Sequence, residues 1–345
     1  MTVIIRMLLR SAAVVFFLSS YCVPSLGHTP AGFEAGVSLL LHASDYSDPA
    51  DLSSKMEALL LRLTSLHVNA ISLVWPIYTD GVASNDLHSG AETPKDSAIA
   101  AAVALLHAHG FSIMLRPIID EHVFKDEGAG DWRGTIRPAD PAVWFKNYGT
   151  LILHYASLAQ SSGADTFIIG VELNSMERYT ASWKKLIGEV RKRFAGRLSY
   201  SSNQGINGNM PWKLLDFIGI DAFFALQTEA TEATAADMQA ATAVWVAWMR
   251  RKIAAYRLPL VLTEVGSESQ TNAHKRPWLW DHGSAVDLED QRRYYEATCA
   301  AWKPAISGMY WWDVTLNQPA DPTNDGDFTP LGKPAEAEMA SCFAR

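Results

Sequence analysis

Apolar runs alternate with helical patterns along this chain from Gly36 onward, and the alternation occurs eight times. The runs lack the strict alternation of polar and apolar residues that marks a half-exposed strand, which indicates strands covered on both faces. The predicted strands span residues 36–41, 70–75, 112–117, 166–171, 198–202, 217–222, 259–263 and 306–311.

Apolar residues spaced three or four apart predict helices between these strands. Asp48-Pro49, Thr93-Pro94 and Asp140-Pro141 each place a capping side chain before a proline, so we expect helices to begin there. The fifth helix has a weak pattern, with little beyond residues 212–215. The periodic positions of the clearest helices are Leu52, Met56, Leu59, Leu63 and Leu66, then Trp144, Tyr148, Leu151, Tyr155 and Leu158, then Trp183, Leu186, Val190 and Phe194.

Eight strand and helix units in about 310 residues predict an α/β fold, the (β/α)8 TIM barrel, whose functional residues follow the carboxyl ends of the strands. A doubly wound open sheet is the alternative, but no glycine-rich phosphate loop follows the first strand. We find no linker or repeat, so residues 28–345 are predicted to form one domain.

Residues 1–27 have the pattern of a secretory signal peptide. Arg6 and Arg10 precede the apolar stretch 11–20, and Ser25-Leu26-Gly27 offers small residues at a cleavage site. The apolar stretch is too short to span a membrane, so we expect a secreted or periplasmic protein without a membrane span after cleavage.

Two cysteines, Cys299 and Cys342, remain after cleavage at Gly27. In an oxidising compartment they could form a disulfide between the last two helices, or they could be separate buried thiols. The sequence leaves both possibilities open.

Composition indicates a neutral ligand. With 48% hydrophobic and 19% charged residues the chain can bury a full core. A net charge of −8 without a basic cluster argues against nucleic-acid binding.

The chain has twelve tryptophans, more than a core normally needs. Most should pack helices on the sheet, and the remainder suit a cleft that stacks sugar rings. We expect a monomer that binds a polysaccharide or oligosaccharide.

Residues just past the predicted strands should form one ring at the barrel mouth. Glu172 follows the fourth strand and Glu264 the seventh. Two such carboxyls about 5 Å apart can cleave a glycosidic bond by a retaining route, one as nucleophile and the other as acid. The ring contains His42, Trp75, Arg116, Asp120, Glu172, Asn203, Asp221, Glu264 and either Trp311 or Trp312.

A metal-dependent hydrolase is the competing enzyme class. The acidic run formed by Asp120, Glu121, His122, Asp126 and Glu127 holds one histidine, and no HExxH motif occurs in the sequence. We interpret this run as loop charge and predict no metal site. The glycosidase mechanism also requires no cofactor.

Several stretches together resemble glycoside hydrolase family 113, retaining β-mannanases with a (β/α)8 barrel. The resemblance runs from Gly36 to Lys333. The stretches are Leu115-Arg116-Pro117-Ile118-Ile119-Asp120, Trp132-Arg133-Gly134, Ile169-Gly170-Val171-Glu172-Leu173, residues 183–191, Ile218-Gly219-Ile220-Asp221-Ala222, Thr263-Glu264-Val265-Gly266, Trp311-Trp312-Asp313 and Gly332-Lys333-Pro334.

The resemblance implies a role for each matching position. Glu172 is similar to the general acid/base and Glu264 to the nucleophile, while Trp311 or Trp312 resembles the aromatic floor beneath the sugar. Asn203 is a candidate for a hydroxyl contact. The implied cleft residues are Arg116, Asp120, Trp132 and Arg133. The first substrate to expect is β-1,4-mannan.

Two positions depart from the pattern of related enzymes. Val171 stands where many have an asparagine that bonds the sugar 2-hydroxyl, and Phe223 stands where the family often has a tyrosine. A phenylalanine cannot orient the nucleophile by hydrogen bonding. Two alternatives therefore stay open: hydrolysis of another β-glycan, such as an exopolysaccharide, and a weakly catalytic barrel that binds glycan.

Overall fold

The computed structural model describes residues 32–120, 124, 130–206, 208–229, 232–280 and 283–344. The predicted signal peptide, residues 1–27, lies outside these ranges. So does the acidic run after the third predicted strand, apart from Asp120. Among the described residues, no helix is both long and apolar enough to cross a membrane.

Eight parallel strands close into a barrel, which confirms the predicted (β/α)8 fold. The first strand pairs with both the second and the last, so the sheet has no free edge among these eight. The short strand β3, Leu87–His88, pairs in antiparallel fashion with the second barrel strand. The barrel strands are β1 Glu34–Leu40, β2 Ala70–Thr79, β4 Ser112–Ile119, β5 Thr166–Val171, β6 Arg197–Asn203, β7 Ile218–Asp221, β8 Leu260–Val265 and β9 Gly308–Thr315.

Helices cover the outside of the barrel after seven of the eight strands. Between β6 and β7 the described chain has only the short 3-10 turn Trp212–Leu214, as the weak fifth pattern predicted. The helices are α1 Pro49–Ser65, α2 Asp96–Ala108, α3 Pro141–Ser162, α4 Thr180–Arg191, α5 Ala235–Ile253, α6 Leu288–Trp302 and α7 Pro334–Ala344.

Two of the three predicted helix starts are confirmed and one is wrong. Asp48 and Asp140 accept backbone N–H bonds at the starts of α1 and α3. Helix α2 begins at Asp96, not at Pro94. Thr93 serves the preceding loop instead, because its hydroxyl donates to the Pro76 carbonyl and accepts from the Gly90 N–H, both at 2.8 Å.

The barrel interior is packed with side chains up to the level of the cleft. One apolar cluster fills the barrel and a second lies at its mouth. The inner cluster includes Ala70, Met114, Ile168, Phe217, Val261 and Tyr310. The cluster at the mouth includes Val74, Phe223, Trp312 and Phe328. Any ligand must therefore bind above this second layer, at the carboxyl ends of the strands.

A disulfide joins Cys299 on α6 to Cys342 on α7. The sequence left this pairing open against two separate thiols, and the structure has the pair. The two cysteines are 43 residues apart in the sequence, so the bond restricts the conformations of the unfolded chain. In the folded protein it joins α7 to α6.

Candidate active site

Glu172 and Glu264 are brought together at one cleft of about 680 Å³. Glu264 belongs to β8, whereas Glu172 comes directly after β5 in the left-handed region, with φ +53°. The Glu172 N–H donates to the Ser201 carbonyl at 2.7 Å, which holds this conformation against the next strand. Both residues line the cleft, although Glu172 is only 6% exposed and Glu264 only 4% exposed.

A buried arginine lies behind Glu264. Arg116, on β4, reaches across the barrel and places Nη2 2.6 Å from Glu264 Oε1 and 2.7 Å from Asp221 Oδ2. The contact with Glu264 is an ion pair by distance without hydrogen-bond alignment. Arg116 Nη1 also donates to the Thr263 carbonyl at 3.2 Å, and the Thr263 hydroxyl donates to Asp221 at 2.9 Å. These contacts orient the Glu264 carboxylate from below.

Burial and charge act in opposite directions on Glu264. Burial raises the pKa of Glu264 well above its ordinary range, and the Arg116 guanidinium opposes that shift. Burial likewise raises the pKa of Asp221, again opposed by Arg116 and by the Thr263 hydroxyl. Arg116 therefore favours the ionised form of Glu264, which is the form that a carboxylate nucleophile requires.

Glu172 is paired with a different arginine, which belongs to a short turn and not to a barrel strand. Arg133, in the turn Arg133–Thr135, donates from Nη1 to Glu172 Oε2 at 2.8 Å and from Nε to the Ile119 carbonyl at 2.9 Å. The chain after Glu172 is held by Tyr200, whose hydroxyl oxygen accepts the Leu173 N–H at 2.7 Å. Unlike Arg116, Arg133 lines the cleft.

The cleft has two lobes that share one wall. We name the part containing both glutamates the catalytic lobe, which is also lined by Trp132, Asn203 and Phe223. The second lobe has a volume of about 480 Å³ and is lined by His42, Trp75 and Asp120, among others. The residues common to both lobes are Ile118, Arg133, Trp278, Leu279, Trp280 and Trp312.

Two glutamates over an aromatic-lined cleft suit hydrolysis of a glycosidic bond. The family model that matches is Glycoside Hydrolase Family 113, over residues 50–333. The chain belongs to Glycoside Hydrolase Family 113. It is therefore a glycoside hydrolase of a retaining family that acts by double displacement. No curated protein matches the sequence.

Solved structures agree with this family. The GH113 β-mannanase AaManA from Alicyclobacillus acidocaldarius, solved in complex with ManMIm, is 26% identical, with 91% of this chain and 98% of that chain covered and a TM-score of 0.78. A complex of a GH113 β-1,4-mannanase is 21% identical, with 91% and 99% covered and the same TM-score. A family 5 mannosidase from Rhizomucor miehei shares the fold at 9% identity, with 91% and 92% covered and a TM-score of 0.61.

Three residues predicted to contact substrate in this family 113 enzyme do not line the cleft, and their assignments are corrected. Arg116 and Asp221 are fully buried beneath Glu264, because the Arg116 side chain lies inside the barrel. Trp311 is also fully buried and stacks on Tyr295, with ring centroids 3.8 Å apart. Trp312 lines both lobes, so of these two tryptophans only Trp312 can contact a ligand in the cleft.

The remaining predicted substrate residues of the family 113 enzyme do line the cleft. Those in the catalytic lobe are Trp132, Arg133, Asn203, Phe223 and Trp312. Those in the second lobe are Trp75, Asp120, Arg133 and Trp312, and the ring residue His42 joins them. Their contact with a sugar stays a prediction.

Three aromatic cleft residues escaped the sequence reasoning. Trp278 and Trp280 belong to the loop after β8, and Phe328 belongs to the loop after β9. The signal that could have found the tryptophans is their spacing, since Trp278-Leu279-Trp280 follows the charged residues Lys275 and Arg276 in a region without helical periodicity.

The two departures from the pattern have different consequences in the family 113 enzyme. Phe223 cannot donate to Glu264, but Arg116 already contacts that carboxylate from the opposite side of the barrel. Val171 is buried in the barrel interior, whereas Asn203 reaches the same lobe as Glu172 and can supply a polar contact. Neither departure removes the arrangement of the two glutamates.

Proposed function

We propose that this family 113 enzyme hydrolyses β-1,4-linked mannan, with Glu264 as nucleophile and Glu172 as general acid/base. The observation that carries the proposal is the pair of glutamates at one aromatic-lined cleft, with Arg116 behind Glu264. The mannan assignment is supported by likeness to the GH113 β-mannanase at 26% identity. Hydrolysis of another β-glycan and binding without turnover are less favoured, because family and site both fit a mannanase.

The proposed reaction has two steps at one anomeric carbon. In the first, Glu264 attacks that carbon and forms an ester, the glycosidic C–O bond breaks, and Glu172 gives its proton to the leaving oxygen. In the second, Glu172 takes a proton from water, the water oxygen attacks the same carbon, and Glu264 leaves as a carboxylate. Two displacements retain the β configuration.

Substrate positioning is assigned to the side chains that line the cleft. Trp312 offers an apolar face for the sugar whose bond is cut, and Trp132 offers another at the edge of the catalytic lobe. Asn203 can bond a hydroxyl near Glu172, while Asp120 can do so in the second lobe. These contacts hold the anomeric carbon between the two glutamates.

The test is release of new reducing ends by residues 28–345 from β-mannan, glucomannan, cellulose and xylan, beside the Glu264→Gln variant. We expect release from the mannans and none from the variant. Release from cellulose or xylan alone would reject mannan and keep the mechanism. Binding to mannan without any release would reject turnover.

We also propose that the protein works outside the cytoplasm as a monomer. The pattern of residues 1–27 supports export, and the Cys299–Cys342 disulfide is compatible with an oxidising compartment. Fractionation of the producing cells, with immunoblotting for a chain shortened by about 27 residues, tests the export. Light scattering tests the monomer.

A further inference from the structure

Two tryptophans are exposed on the wall shared by the two lobes. Trp278 is 43% exposed and Trp280 is 49% exposed, whereas no other tryptophan reaches this degree of exposure within the described chain. Large apolar side chains kept in water on a cleft commonly mark a binding surface, because burying them on folding would be favourable.

Trp280 continues an aromatic row that begins beside the two glutamates. The Trp280 ring lies 4.9 Å from the Phe328 ring, and Phe328 lies 6.1 Å from Phe223, measured between centroids. Phe223 and Phe328 line the catalytic lobe with Glu264, while Trp278 and Trp280 line both lobes. The row therefore leads from the reacting centre to the second lobe.

The loop that carries the two tryptophans is held at its base. The Asp287 N–H donates to the Ser269 carbonyl at 2.8 Å, and the Thr271 N–H donates to the Ala285 carbonyl at 2.9 Å. A buried contact of 2.7 Å between His274 Nδ1 and Asp290 ties the loop to α6. Such a base positions the aromatic rings before a ligand arrives, which reduces the entropy lost on binding.

We propose that Trp278 and Trp280 bind the pyranose units of the substrate that lie away from the cleaved bond, and so guide a glycan chain from the catalytic lobe into the second lobe. The inference rests on the proposed glycosidase function. An indole face suits the apolar C–H face of a pyranose, and His42 and Asp120 in the second lobe suit its hydroxyls. These tryptophans then determine the preference for long chains.

The test compares a long and a short substrate in the Trp278→Ala, Trp280→Ala and double variants. We expect kcat/KM for mannohexaose to fall by about 10- to 100-fold in the double variant, because aromatic anchors carry much of a binding energy. The loss for 4-nitrophenyl β-mannoside should be smaller by at least about fivefold, since that substrate has no remote units. Leu61→Ala, at an exposed apolar position on α1, is the control and should change neither.

Equal losses on both substrates, or no loss on the long one, would overturn the proposal. Trp278→Phe and Trp280→Phe should keep most of the activity on mannohexaose, because an aromatic face remains. If wild type cleaves another glycan instead of mannan, the same comparison with a hexamer and an aryl glycoside of that sugar separates this inference from the substrate assignment. If wild type cleaves none, calorimetry of hexamer binding decides, and equal affinities with and without the tryptophans reject the inference.

Discussion

Glu172 and Glu264 line the same cleft, but different parts of the chain support them. Glu264 lies within a strand and has Arg116, a fully buried residue of the opposite barrel wall, 2.6 Å away. Glu172 lies just past its strand in a left-handed conformation and receives a hydrogen bond from Arg133 in a loop. Both arginines favour the ionised carboxylate, but only Arg133 is open to the cleft.

This difference suits the two roles. A nucleophile must be ionised and fixed, which a strand position and a buried arginine provide. An acid/base must exchange its proton with the leaving group and with water, so a cleft-facing partner that substrate can displace is an advantage. Removing one group at a time therefore tests whether the two supports are distinct.

The largest effect is expected from Glu264→Gln. The amide cannot form the glycosyl ester, so kcat should fall by at least about 10⁴-fold while glycan binding persists. Activity assays and calorimetry with mannohexaose measure the two properties. Glu229→Gln, at an exposed position that does not line the cleft, is the control and should keep its catalytic rate. Comparable turnover by Glu264→Gln would reject the nucleophile assignment.

Glu172→Ala should show a loss that depends on the leaving group. Without the acid, kcat for mannan should fall by about 10²- to 10⁴-fold, whereas aryl glycosides with good leaving groups should lose less in the first step. Azide should restore turnover of those aryl substrates by attacking the intermediate in place of water. A uniform loss without azide rescue would assign the acid to another residue.

Removing each arginine should move the acid limb of the pH profile of kcat/KM by a different amount. Arg116→Gln removes the charge that opposes the raised pKa of Glu264, so the acid limb should move up by about 1–3 pH units. Arg133→Gln should move the acid limb in the same direction but by less, because Arg133 opposes the raised pKa of Glu264 more weakly than Arg116 does. Arg116→Gln should also cost about 3–5 kcal/mol of unfolding free energy. If Arg116→Gln does not fold, Arg116→Lys should show a smaller shift in the same direction. An acid limb that stays in place in Arg116→Gln, or that moves as far in Arg133→Gln, would contradict the comparison.

A third carboxyl, Asp313, is buried on β9, and its effect is expected on stability and not on turnover. Burial raises its pKa from 3.8 to about 8, and the Asp327 carboxylate adds to the shift, whereas Lys333 and His42 oppose it. Between these values the folded state holds a proton that the unfolded chain releases. The unfolding free energy should therefore fall as pH rises from 4 to 8, by at most about 1.4 kcal/mol per pH unit.

Asp313→Asn should remove this dependence on pH, because the amide does not titrate. Denaturant unfolding of wild type and variant at pH 5 and pH 8 measures the difference. Glu229→Gln, at an exposed position, is the control and should behave as wild type. If Asp313→Asn loses stability on going from pH 5 to pH 8 as steeply as wild type, Asp313 is not the titrating group.

The sequence predicted which residues lie near the ends of the strands, but it did not predict whether their side chains reach the cleft. Arg116 and Asp221 belong to the ring that the sequence indicated, yet both side chains lie below the cleft surface. The sequence could not separate Trp311 from Trp312, because the two residues are adjacent and of the same type. Successive strand residues point to opposite faces, so Trp311 packs on Tyr295 outside the barrel while Trp312 faces the cleft.

The sequence by itself determined the barrel, the order of its strands and which strands deliver Glu172 and Glu264. Those properties follow from local apolar periodicity and from the direction of parallel strands, both of which are readable along the chain. Only the tertiary structure decided that Arg116 contacts Glu264, that Trp312 and not Trp311 lines the cleft, and that Trp278 lines both lobes. Those contacts join residues far apart in sequence, and they depend on barrel closure, strand register and loop packing that no local pattern encodes.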